Sequence, residues 1–149
     1  MAASQTVNLN CTRATFHPIQ NYPVRWLDWD ADFILAQEFV PEKAPLTREV
    51  WDDSRRDGYQ FCAVIEKERI VAWAAAWRYS EKAWEVAAVR THPEYRRRGY
   101  GQTVVSFVTG YILENGRLAT CLTRSSNDTM QKTAMSVGFV KAPRPVQEK

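Results

Sequence analysis

The chain has 149 residues, a formal net charge of +3, 25% charged and 45% hydrophobic side chains. That length fits one domain able to bury roughly 70% of its unfolded surface, and the mixture excludes wholesale disorder. The mild charge excludes the basic excess usual in nucleic-acid binders, and three widely spaced cysteines exclude a disulfide framework or a paired-cysteine metal site.

In chain order, the opening MAASQTVNLN lacks the charged and apolar regions of a signal peptide. The longest apolar run, Ile70–Trp77, is far short of the ~20 residues of a membrane span, so a soluble, cytoplasmic protein is expected. The first twenty residues form a tail or a strand that finds its partner only in the folded domain. Val24–Leu27 reads as a short strand, Asp30 as an N-cap and Asp30–Val40 as a helix stopped by Pro41. Leu46–Arg56 reads as a second helix, closed by Gly58.

The period then changes. Gln60–Ile65 and Ile70–Arg78 read as a hairpin around the charged EKER turn, and Trp84–Thr91 as a third strand ended by Pro93. Val104, Val105, Val108, Tyr111 and Ile112 recur at helical spacing, with Gly116 as the stop. Leu118–Thr123 is a strand, Asn127 caps a helix ended by Gly138, and Phe139–Val140 begins a last short strand. The order β-α-α-β-β-β-α-β-α-β describes one mixed α/β layer.

The chemistry concentrates in EYRRRGYGQTVV, residues 94–105, where a strand feeds a tight loop that opens a helix. Helix N-termini present unpaired N–H donors and partial positive charge, which suit anions. Gly99 and Gly101 allow a pyrophosphate close to the main chain, and Arg96, Arg97 and Arg98 add charge-assisted bonds. The bland alternative is a solvated basic turn.

VRTHPEYRRRGYGQ resembles the acetyl-CoA-binding signature of the GNAT superfamily of N-acetyltransferases, Arg/Gln-x-x-Gly-x-Gly/Ala, with Arg96, Gly99 and Gly101 in its fixed places. A second family motif, Asn followed eleven residues later by Gly-Phe, is matched by Asn127, Gly138 and Phe139. The resemblance implies an α/β fold with a central mixed sheet, flanking helices and strands that diverge at the cofactor. It divides the chain into an N-terminal extension (1–20), an acetyltransferase domain (21–142) and a tail (143–149). It implies that main-chain groups around Ala88, Val89 and Thr91 pair with the pantetheine arm of acetyl-CoA. Amides from Arg96 through Arg97, Arg98, Gly99, Tyr100 and Gly101 to Gln102 would hold the pyrophosphate, with Asn127 near the pantetheine.

The resemblance implies acetyl transfer to a primary amine of a small molecule or peptide. Glu85, fourteen residues before Gly99, matches the general-base glutamate of the histone-acetyltransferase branch. Simple alternation puts residues 85, 87, 89 and 91 on one face, and the bland alternative is a solvated strand-start glutamate beside Lys82. Trp26, Trp29 and Trp51 are candidates for shaping the acceptor site, and Asp28, Asp30, Asp32, Asp52 and Asp53 for attracting a cationic acceptor, although helix-start carboxylates need no such purpose. His92, before Pro93, reads as structural.

Two departures stand out. Where many family members carry a tyrosine that protonates the thiolate, this chain has Ala134, so Thr133, Tyr111, Ser125 or Ser126 would substitute, or water and a helix dipole would assist. This leaves open an alternative, an acyl-CoA sensor or interaction module with weak or no transfer. The closing strand of the sheet is also missing after the C-terminal prolines. Either Thr6–Phe16 or a partner subunit, making a homodimer, would supply it. No metal, membrane or nucleic-acid partner is expected.

Overall fold

The computed structural model describes residues 5–142, so the expected tail over 143–149 lies outside the described residues. The elements are β1 (Thr6–Cys11), β2 (Arg25–Trp26), α1 (Phe33–Phe39), α2 (Arg48–Arg56), β3 (Tyr59–Glu66), β4 (Arg69–Trp77), β5 (Ala83–Thr91), α3 (Tyr100–Glu114), β6 (Leu118–Arg124), α4 (Asp128–Val137) and β7 (Val140–Lys141). They build one 7-stranded mixed sheet in the order β2-β3-β4-β5-β6-β1-β7.

The middle of the sheet follows from local chemistry. Glu66 pairs with Arg69, leaving Lys67 (φ 52°) and Glu68 (φ 65°) as a two-residue turn whose positive φ angles give the twist that matches the two strands of a hairpin. Strand β4 is buried over nearly its whole length, because α1 and α2 cover one face and α3 and α4 the other. Trp51, 1% exposed, anchors α2 against Phe61 and Trp73, and its Nε1 donates to the Trp29 carbonyl at 2.7 Å. Across the sheet, Val104, Val105, Val108 and Ile112 of α3 pack with Val71, Ala74 and Val86.

Helix α1 starts later than expected, at Phe33 rather than Asp30. The Asp28 carboxylate accepts the N–H groups of Asp30 and Ala31, and that of Asp32 accepts the Asp28 N–H at 2.7 Å. These local bonds compete with the first helical turn. Helix α2 begins as its cap dictates, the Thr47 hydroxyl accepting from Val50 N–H.

The segment before Gln20, for which sequence offered a tail or a strand, carries β1. It lies between β6 and β7, antiparallel to both, with Leu9 opposite Cys121 and Asn10 opposite Thr120 and Val140. The position beside β6 is thus occupied by a strand from the N-terminal segment of the same chain.

Candidate active site

The crossover β5–α3–β6 brings β5 and β6 side by side in parallel, but only Ala83–Leu118, Trp84–Ala119 and Glu85–Thr120 are paired. Beyond Glu85 the strands part. On the other side β5 stays paired to β4, with an irregularity in which Ala88 and Val89 together face Ala74. This bulge puts Ala88 at φ 57°, a conformation that costs a non-glycine residue energy and re-aims the rest of the strand. It corrects the alternation expected from sequence. Val89 packs with the α3-side core beside Trp84 and Val86, while Arg90 turns its guanidinium over Phe39 at 5.3 Å. Glu85 and Val89 therefore lie on opposite faces.

The gap opens into a cavity of about 1070 Å³. Ala88, Val89, Thr91, Arg96, Arg97, Gly99, Tyr100, Gly101, Gln102 and Asn127 all line it, together with residues that sequence did not single out. Val40, Pro41 and Ala44 reach it from the α1–α2 connection, Trp73 and Arg90 from the sheet, and Thr129, Met130 and Thr133 from α4. No periodicity or motif marks these positions; the chain path alone delivers them.

At the mouth, α3 begins with Gly99 at φ 86° and no side-chain cap. Arg97 is also left-handed, at φ 65°. None of the backbone N–H groups from Arg96 to Gln102 has a partner among the turn and loop hydrogen bonds of the described residues. Successive amides in such a loop form a concave anion nest reinforced by the helix end. Arg90 adds a buried Nε without a partner. Arg96 Nε donates to the Thr91 carbonyl at 3.4 Å, bracing the loop. Arg98 does not line the cavity. Its guanidinium lies over Tyr95 at 5.4 Å, and its carbonyl accepts the Tyr22 hydroxyl.

Asn127 does cap its helix, accepting from Met130 N–H at 3.0 Å, and lines the cavity as well. Glu85 shares a face with its cross-strand partners Trp77 and Thr120, and burial pushes its carboxyl up to about 7. A carboxylate titrating there accepts a proton near neutral pH. The thiols are the opposite case. Burial drives Cys62 far up and holds Cys121 up at about 12, the charge of Glu85 adding to the latter, so neither supplies a thiolate.

The aromatic candidates separate. Trp26 pairs with Cys62 and packs on Phe107 and Tyr111, on the face opposite Glu85. Trp51 is closed inside the α2 core, with Trp29 4.4 Å away as its cover. The aromatic rings flanking Glu85 are instead Trp77, stacked on Tyr59 at 5.2 Å, and Tyr79 beyond it. The acidic cluster is occupied by caps and arginines: Asp32 takes Arg25 in two bonds at 2.8 and 3.0 Å, Asp30 and Asp52 take Arg48, and Asp53 takes Arg56. His92 accepts Glu94 N–H and caps a 3-10 turn, a structural role. Among the described residues no cluster of His, Cys, Asp or Glu is arranged for a metal, and no helix is long and apolar enough to cross a membrane.

Several solved structures share this architecture. A GCN5-related N-acetyltransferase from Sphaerobacter thermophilus superposes with a TM-score of 0.76 at 16% identity, covering 95% of this chain and 50% of its own. An acetyltransferase from Trypanosoma brucei gives 0.65 at 20% identity, over 85% of this chain and 98% of that one. AAC(6')-Iy, solved with the bisubstrate analogue CoA-S-monomethyl-acetylneamine, gives 0.65 at 14% identity, over 85% and 96%. The chain spans only 50–59% of the length of several of the solved structures it matches. No curated protein matches it. Residues 22–139, which contain the diverging strands, the uncapped helix and the Asn127 turn, match the acetyltransferase (GNAT) family, and the chain belongs to that family.

Proposed function

We propose that the protein is an N-acetyltransferase that moves the acetyl group of acetyl-CoA to a primary amine of a small molecule or peptide by direct attack. One observation carries the reading. Pairing between β5 and β6 stops at Glu85, and Ala88 to Thr91 beyond it line a cavity whose far end is a nest of unpartnered amides. A ligand with an amide-bearing arm and a diphosphate fits both halves. The AAC(6')-Iy complex supports it, since a similar fold there holds a CoA-containing bisubstrate analogue.

The residues divide the work. Amides of Arg96–Gln102, with Arg96 and Arg97, would hold the diphosphate, and Ala88–Thr91 would extend the sheet onto the pantetheine arm. Acetyl-CoA supplies an activated acyl group. Glu85, directly or through a water, takes the proton of the attacking amine, and its burial sets it to do so near neutral pH. Burial raises the titration of Cys11, Cys62 and Cys121 alike, which favours direct attack over an acyl-cysteine route.

A second reading, a CoA-binding module without transfer, draws on Ala134, which is fully buried and carries no hydroxyl. Thiol release from acetyl-CoA across a panel of amines separates the two. Amine-dependent release supports the enzyme; cofactor binding with no release by any amine supports the module.

A further inference from the structure

A departing thiolate needs a proton donor, and Thr133, Tyr111 and Ser125, three of the hydroxyls suggested by sequence, are badly placed for it. Thr133 sits beside Gly101, at the diphosphate end. Tyr111 donates its hydroxyl to Gln60, with its ring between Trp26 and Trp84 on the far face. The Ser125 hydroxyl accepts the Gln5 N–H, where β6 meets the start of β1.

Another hydroxyl pair stands where β5 and β6 part. Thr120, 7% exposed, is the partner of Glu85 in the last rung of the parallel ladder. It shares the Glu85 face, because Ala119 and Cys121 on either side belong to the opposite core. Its hydroxyl donates to the Trp84 carbonyl at 3.3 Å, which leans it toward β5, and lies 3.1 Å from the Tyr79 hydroxyl. Thr120 has one proton and directs it to Trp84, so Tyr79 is the donor to Thr120. Tyr79 is 38% exposed and can exchange its proton with water. With the diphosphate at Arg96–Gln102, beside Thr91, and the arm running back along β5 past Ala88, the thioester end is directed toward this fork, three residues or ~10 Å beyond the cavity wall at Ala88.

We propose, on the acyl-transfer reading above, that Thr120 delivers a proton to the leaving sulfur and that Tyr79 replenishes it. The amine nitrogen bonds to the acyl carbon while the carbon–sulfur bond breaks, its electron pair staying on sulfur. Thr120 swings its O–H from the Trp84 carbonyl to that sulfur and passes its proton on in the same event in which its oxygen takes the proton of Tyr79. No threonine alkoxide is formed, and the Tyr79 phenolate takes a proton from water. Glu85 holds the proton lost by the amine and returns it to water, so amine and thioester become amide and thiol.

Coenzyme A is the first probe, read by the ultraviolet absorbance of its thiolate during a pH titration on the protein. A hydroxyl aimed at sulfur stabilises the thiolate, so the bound thiol should titrate about one pH unit lower on the wild type than on Thr120→Val, with Thr120→Ser restoring it and Tyr79→Phe intermediate. In turnover, Tyr79→Phe and Thr120→Val should each lower kcat about 10–100-fold, and the double variant should be no slower than the slower single, because both act in one relay. Acetyl-CoA affinity within about twofold of wild type confirms folding. The same titration curve in all proteins, or losses that multiply in the double variant, overturns the relay. Should no amine release thiol, the transfer reading falls, while the titration still decides whether these hydroxyls face sulfur.

Discussion

Glu85 is the residue whose chemistry depends most on its neighbours. Its carboxyl is raised to about 7 by burial between Trp77 and Thr120. In the unfolded chain a glutamate titrates near ~4.3, so the folded state holds this proton more tightly. The favourable contribution is therefore complete at low pH and is lost as pH rises through about 7. Glu85→Gln should raise Tm relative to wild type at about pH 8 but not at about pH 4, a difference that calorimetry resolves. The same substitution should lower kcat about 10²-fold or more and flatten the rise of kcat through about pH 7. An unaltered pH–rate profile would remove Glu85 from the mechanism. Gly99 is the second decisive residue. At φ 86° a side chain costs roughly 1–3 kcal/mol, and a valine there would distort the loop that aims the amides. Gly99→Val should weaken acetyl-CoA binding at least about tenfold by titration calorimetry, the effect of losing one or two charge-assisted hydrogen bonds.

At the scale of elements, two irregularities build the site. The bulge in β5 keeps Arg90 toward α1 and Val89 toward α3, so the strand leaves its ladder with β6 without losing the one with β4. The second is the docking of the segment after β1 against the end of α4. His17 N–H donates to the Val137 carbonyl at 2.8 Å, and Gly138 at φ 113° lets the Thr15 carbonyl approach so closely that a Cβ would stand 2.1 Å from its oxygen. Gly138→Ala should thus destabilise the fold by about 2–5 kcal/mol, strain and overlap adding, as urea unfolding would show. Because β1 fills the place between β6 and β7, this glycine guards the edge of the sheet and not only a helix stop.

For the whole molecule, the site is a gap in an otherwise continuous sheet, and a ligand that fills it stabilises the folded state alone. Acetyl-CoA at a hundred times its Kd should add about 2.7 kcal/mol, and raise Tm by roughly 5–11 °C for a domain of this size. A Tm unmoved by saturating acetyl-CoA, with adenosine diphosphate equally silent, would count against the cavity as the cofactor site. The gain should shrink as salt is raised, since Arg96 and Arg97 stand at the cavity mouth.

The sequence by itself determined the class of fold, the hairpin strands, the glycine loop opening α3 and the Asn127 cap, because each rests on local chemistry: alternation, a helix start, a residue free to take positive φ. Glu85 enters as a candidate base only through the resemblance to the family glutamate fourteen residues before Gly99, a role the pH–rate profile tests. The bulge at Ala88 left no such trace, since alanine carries no preference for φ 57°, and the face assigned to Val89 changed with it. Trp51 read as an acceptor-site aromatic, yet α2 turns it inward onto Phe61 and Trp73, whereas Trp77 came opposite Glu85 through β4–β5 pairing and Tyr79 reached the same rung through Thr120. The pairings of Thr120 with Glu85 and of β1 with β6 join residues far apart in the chain. Such contacts depend on strand register and on which edge is left bare, and only tertiary packing decides either one.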